Sequence, residues 1–137
     1  MSSFKDLRIV DNFYQTSAYF PMPTVLIATL DDEGRTTLGA YSLCFPYYIA
    51  GKGYYAMILE CRNSSNTAQN LLKRGKCAIN FLEDSKADFK ETVRLGFPGE
   101  TSKEKMKDCP FVFEKGLAEG ERPLVIQKAY QVFECTW

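Results

Sequence analysis

The sequence contains no histidine. Ser-His-Asp and Cys-His catalysis are thereby excluded, most zinc sites lose their usual ligand, and the commonest general base near neutral pH is missing. CxxC pairs are absent too. The five cysteines, Cys44, Cys61, Cys77, Cys109 and Cys135, lie far apart, four of them in apolar strand-like contexts, which predicts reduced, buried thiols. Net charge is lacking as well: 17 Lys and Arg balance 17 Asp and Glu. Residues 1–82 carry eight basic and six acidic side chains and residues 83–137 carry nine and eleven, so neither half offers the basic face that nucleic acid requires. The uncharged run from Thr36 to Gly51 is shorter than a bilayer span and contains Pro46, and the opening MSSFKDLR places charges where a signal peptide needs its apolar centre. The expectation is a cytoplasmic protein with no nucleic-acid or membrane partner, in which the sequon at Asn63 carries no glycan. Phosphate-binding fingerprints are also missing: no GxxxxGK[ST] occurs, and Gly51-Lys52-Gly53 lacks the third glycine and the following helix of a dinucleotide motif.

What is present is the composition of an ordinary globular chain, with 45% hydrophobic and 14% aromatic residues in 137. That length fits one domain, residues 1–137, able to bury roughly two-thirds of its unfolded surface. Residues 24–30 (TVLIATL) and an extended stretch from Arg35 to Phe45 flank the turn Asp31-Asp32-Glu33-Gly34 and predict a hairpin. Paired acids here and at Glu83-Asp84 read as solvated turn residues. Tyr54–Cys61 and Lys76–Leu82 are the next strands. Between them Asn66–Arg74 reads as a helix capped by Ser65 or Asn66, with Lys73 and Arg74 in its last turn and Gly75 as its stop. A second helix is expected over residues 85–95, and a third from the capping box at Thr101 and Glu104 to about Cys109. Strands return at Leu124–Ile126 and Tyr130–Cys135. Hairpins with sparse crossovers predict a mainly β fold, an antiparallel barrel or sandwich with a few short helices.

The polar cluster Arg62-Asn63-Ser64-Ser65-Asn66-Thr67 stands where the first helix begins. A helix start presents unpaired N–H groups and the positive end of the dipole, and so favours an anion. Arg62 can grip a phosphate with two prongs, while the hydroxyls of Ser64, Ser65 and Thr67 and the amides of Asn63 and Asn66 supply further hydrogen bonds. The plain alternative is that these residues only cap the helix and that Arg62 pairs with a surface carboxylate. One cap suffices for a helix, however, and six consecutive polar residues exceed that need. The dipole contributes about 0.3–1 kcal/mol and a charge-assisted hydrogen bond about 1.5–3, against about 8 kcal/mol for micromolar binding. A ligand held there therefore brings a flat apolar body, as a nucleotide or flavin does. Gly39 and Ala40 leave backbone approachable, Ser42 offers a hydroxyl, and Tyr41, Phe45, Tyr47 and Tyr48 can wall a ring, form core or cover a subunit interface.

The segments PTVLIATLDDEG, LGAYSLCFP and RNSSNTAQNLLKRGKCAINFL, within residues 20–82, resemble successive signatures of the flavin reductase-like family. The resemblance implies the FMN-binding split β-barrel, antiparallel, and a homodimer. It places the FMN phosphate, or that of FAD, at Arg62, Asn63, Ser64, Ser65, Asn66 and Thr67, and the ring edge along Tyr41, Ser42 and Leu43. It also implies NADH or NADPH as co-substrate, with hydride passing from nicotinamide to flavin, a transfer for which the protein supplies positioning and needs no histidine. Alternatives in keeping with the same residues are a non-catalytic flavin-binding electron carrier or storage protein, and a ligand-free structural barrel. Members of the family continue with further barrel strands, whereas this sequence stops at Trp137, so the expectation is a naturally short member or one shortened at its C-terminus.

Overall fold

The computed structural model describes residues 22–137; the expectations drawn from MSSFKDLR concern residues outside that range. In chain order the elements are β1 (Val25–Leu30), β2 (Thr36–Tyr41), β3 (Cys44–Ile49), β4 (Tyr54–Leu59), α1 (Asn66–Arg74), β5 (Lys76–Phe81), α2 (Lys86–Gly96), α3 (Ser102–Met106), β6 (Phe113–Glu114), β7 (Val125–Ile126) and β8 (Gln131–Thr136). Four strands form an antiparallel sheet in the order β2-β1-β5-β8, while β3 pairs with β4 and β6 with β7 in separate two-stranded ladders.

β1 organises the molecule because all of its side chains are buried, which requires cover on both faces of the sheet. Its alternation sorts the core into two layers. Leu26 and Ala28 join Leu38 and Ala78 on one face, beneath Leu95 of α2 and the returning segment with Phe111, Val125 and Ile126. Val25 and Ile27 join Cys77 and Ile79 on the other, beneath Leu71 of α1 and Cys44 of β3. Each of the Val, Leu, Ile and Phe side chains among them contributes about 1.5–3 kcal/mol of transfer free energy. Asn80 lies fully buried in the first layer, and its amide is satisfied there: Nδ2 donates to the carbonyls of Leu26 (3.1 Å) and Ala78 (3.2 Å), and Oδ1 accepts from Ile126 N (2.9 Å). The short strand β7 is thus tied to the central sheet.

The extended stretch expected from Arg35 to Phe45 divides. β2 stops at Tyr41 because its partner β1 stops at Val25, just after Pro23, which has no N–H to continue a ladder. The chain bends at Ser42, and from Leu43, whose carbonyl accepts Glu60 N at 2.9 Å, it runs in register with β4 instead. Gly51 and Gly53 turn this second hairpin with φ of 82° and 69°. Only Cys44, Met57 and Leu59 of its side chains pack into the second core layer.

Helix signals are realised close to their expected places. Ser65 Oγ accepts Ala68 N at 3.1 Å to start α1, and Gly75 ends it in the left-handed conformation. Ser85 caps α2, and Thr101 with Glu104 forms the capping box of α3. α3 ends at Met106 rather than near Cys109, and a turn in which Cys109 N donates to the Met106 carbonyl at 3.3 Å leads on to Pro110, which disfavours helical backbone at Cys109 itself. Two further expectations are corrected. Asp31 is a buried carboxylate, accepting from Glu33 N and Arg35 N at 2.9 Å each, while Asp32, Glu33, Glu83 and Asp84 are exposed. All five thiols are free, but only Cys44 and Cys77 are buried; Cys61 and Cys109 follow element ends, and Cys135 lies on β8 at the sheet edge, so all three remain half-buried. Among the described residues no helix is long and apolar enough to cross a membrane.

Candidate functional site

The N-terminus of α1 abuts β2 so closely that no side chain fits between them at Gly39. A Cβ on Gly39 would lie 2.5 Å from Thr67 Oγ1 and 2.9 Å from the Tyr41 ring. Thr67 is buried by this approach. Beside the contact opens a cavity of about 300 Å³, at the lower end of the size of small-molecule sites. One wall is β2, from Leu38 to Tyr41; the second is the polar cluster, through Arg62, Ser64, Ser65, Asn66 and Thr67; the third is the end of α2 and the loop after it, with Leu95, Gly96, Pro98, Gly99 and Glu100, joined by Lys105 of α3.

The structure therefore gathers Tyr41, Arg62, Ser64, Ser65, Asn66 and Thr67 around one cavity. It does not bring the other expected residues into that lining. Ser42 and Leu43 are exposed in the bend between β2 and β3, and Asn63 sits in the turn before α1, its carbonyl accepting Gln69 Nε2 at 2.6 Å. Within the cluster the roles divide. Ser65 spends its hydroxyl on the cap, as the plain alternative supposed, and Asn66 Nδ2 donates to the Glu100 carbonyl at 3.0 Å, fastening the third wall to the helix start. Arg62 and Ser64 are exposed, and Arg62 forms no ion pair among the described residues. The first N–H groups of α1, at Asn66 and Thr67, have no acceptor within the helix. An anion entering here meets a guanidinium, hydroxyls and backbone donors together.

Lys105 was not legible as a site residue. Its Nζ donates to the Leu95 carbonyl at 2.9 Å, and burial pushes its ammonium below the usual lysine range against the opposing pull of Glu100, with Arg94 adding to the depression. An anionic group in the cavity would offset that burial. The only trace of this wall in the sequence was Pro98-Gly99, which marks a break and nothing of what the break encloses.

No protein-family model matches the sequence, and no curated protein matches it. Solved structures do. A flavin reductase candidate with a split barrel domain from Shewanella frigidimarina superposes with a TM-score of 0.70 at 16% identity, over 99% of this chain and 68% of that one. Component B of nitrilotriacetate monooxygenase from Bacillus cereus gives 0.66 at 18% identity, over 99% of this chain and 67% of the other. Flavoredoxin from Methanosarcina acetivorans gives 0.65 at 19% identity over 85% of this chain. The match spans only 57% of the length of that flavoredoxin. The fold of this chain, built on antiparallel sheets with a few helices, is the split barrel of the flavin reductase-like proteins.

Proposed function

We propose that this chain is a flavoprotein that binds FMN, with FAD as the alternative, and that it is an NAD(P)H-dependent flavin oxidoreductase. The observation that carries the reading is the single cavity shared by Arg62, Ser64, Ser65, Asn66 and Thr67 on one side and the backbone of β2 on the other. The residues fit such a group in two respects. The donor set is all cationic or neutral on the α1 side, which suits a phosphate ester. Gly39 lets β2 approach Thr67 closely, so that the strand from Leu38 to Tyr41 lines the same cavity as the donors and can border a flat ring.

In this reading Arg62 and the α1 N–H groups hold the phosphate, and Asn63 contributes from the turn. The ring edge runs toward Tyr41, Ser42 and Leu43. Bound flavin would accept a hydride equivalent from NADH or NADPH. The protein's part is positional: β2 orients the ring, the loop from Gly96 to Glu100 screens one side from water, and Lys105 supplies positive charge near the cavity wall. A homodimer belongs to the same proposal and is supported by the exposed aromatic face of the β3–β4 hairpin.

The test is a titration of FMN and riboflavin, followed by flavin fluorescence, against the chain and its Arg62→Ala variant. Loss of one charge-assisted contact of about 1.5–3 kcal/mol predicts an FMN affinity lowered about tenfold to a hundredfold, with riboflavin nearly unchanged. Equal losses for both flavins would remove the phosphate from Arg62. Oxidation of NADH or NADPH no faster than a buffer blank, with FMN bound, would make the chain a carrier rather than a reductase.

A further inference from the structure

β5 and β8 are paired so that Cys77 and Cys135 are direct cross-strand partners. Directly opposed residues in an antiparallel ladder have Cα atoms about 4.5–5.5 Å apart, inside the range of about 4.4–6.8 Å that a disulfide spans. Both side chains belong to the second core layer, where Cys77 is buried and Cys135 is half-exposed at the sheet edge. Interaction between the two neighbouring thiols divides their acidities: it raises Cys77, which burial raises further, and it lowers Cys135 to about 7 against the effect of burial, with help from Arg122. Arg122 approaches the same strand, its NH1 donating to the Cys135 carbonyl at 3.3 Å. The other titratable group facing the pair is Cys44 of β3, a buried thiol in the same layer. Cys135 Sγ donates to the Phe133 carbonyl at 3.8 Å.

We propose that Cys77 and Cys135 are a peroxide-sensitive thiol pair that closes to an intrachain disulfide joining β5 to β8. The half-exposed Cys135 is the attacking sulfur and the buried Cys77 the resolving one. The Cys135 thiolate attacks one oxygen of hydrogen peroxide, the O–O bond breaks, and Cys135 becomes a sulfenic acid as the departing hydroxide is protonated to water. The Cys77 sulfur then attacks the sulfenic sulfur; the S–S bond forms, the S–O bond breaks, and the leaving hydroxide takes the Cys77 proton as a second water. Two thiols are oxidised by two electrons and one peroxide is reduced to two waters. A thiol whose pKa is lowered toward neutrality is more ionised at working pH while remaining nucleophilic, which suits it to this attack. The inference stands apart from flavin binding, because neither cysteine lines the cavity beside α1.

The experiment treats the full chain with stepwise hydrogen peroxide, blocks remaining thiols with N-ethylmaleimide and maps the peptides by mass. The expected result is loss of two hydrogens from the intact mass, with the Cys77 peptide linked to the Cys135 peptide while the half-buried Cys61 is still blocked as a free thiol. In Cys77→Ser, dimedone should trap a sulfenic acid at Cys135 that the unaltered chain does not accumulate. The mapping of the unaltered chain is decisive even if that variant does not fold. A link between Cys44 and Cys135, oxidation of Cys61 ahead of the pair, or a persistent sulfenic acid at Cys135 in the unaltered chain would each overturn the assignment.

Discussion

Gly39 shows how one missing side chain can set a site. Its φ is not positive, so any residue could adopt its backbone; what forbids a side chain is the 2.5 Å that would separate a Cβ from Thr67 Oγ1. Gly39→Ala should therefore cost about 1–3 kcal/mol, the range for overpacking a tight contact, read as a lower urea midpoint. It should also weaken FMN binding by pushing α1 off β2. Adding Thr67→Ala removes the nearest clashing atom, so the double variant is expected to recover part of the stability, with a coupling above about 0.5 kcal/mol. Simple additivity of the two losses would show that the close approach is not what Gly39 is for.

At the scale of elements, the β1–β2 hairpin depends on a carboxylate inside its turn. Asp31 accepts Glu33 N, Arg35 N and Arg35 Nε, and its Oδ2 lies 2.9 Å from Arg35 NH2. Burial acts to raise its pKa, but the hydrogen bonds from Arg35 and Glu33 and the guanidinium charge outweigh it, and the carboxyl sits below its ordinary value. A carboxylate whose folded pKa is depressed adds stability that is fully present above the unfolded value, about 3.9, and is lost as the pH falls through the folded one. Asp31→Asn should accordingly lower stability by about 1–2 kcal/mol at pH near 7. The difference from the unaltered chain should begin to shrink as the pH falls below about 4 and vanish only below the depressed folded pKa, where Asp31 is protonated in both states. Urea unfolding at the two pH values checks the sign, and a gap that widens in acid would contradict the assignment.

Seen as a whole molecule, the described residues leave the β3–β4 hairpin poorly covered. The β3–β4 hairpin exposes Tyr47, Tyr48, Tyr54 and Tyr55, the last of them 76% accessible, and sets Tyr48 against Tyr55 with ring centroids 5.0 Å apart and planes tilted by 49°. A face of aromatic residues with so little polar interruption matches the composition of subunit interfaces better than that of ordinary surface. If the proposed homodimer uses it, Tyr55→Lys should weaken association at least tenfold, about 1.4 kcal/mol. Sedimentation of the chain and the variant over a range of concentrations reads this directly. A chain monomeric at all concentrations, or a dimer indifferent to Tyr55, would assign the face another role.

Local chemistry determined what could be read along the chain. Caps and stops are written by single residues at short range, so Ser65, Gly75, Ser85 and the pair Thr101 and Glu104 announced their helices within a residue or so. The donor cluster from Arg62 to Thr67 was legible for the same reason, since its residues are adjacent in sequence. What needed the tertiary structure is whatever depends on two distant segments meeting. The division of β2 from β3 follows from where β1 ends, the burial of Asp31 from how Arg35 folds back, and the third wall of the cavity from α2 and α3 reaching across to β2. The pairing of Cys77 with Cys135 is of this kind as well: hydrophobic alternation assigns each cysteine a face of its own strand, but only the register of the assembled sheet makes them neighbours.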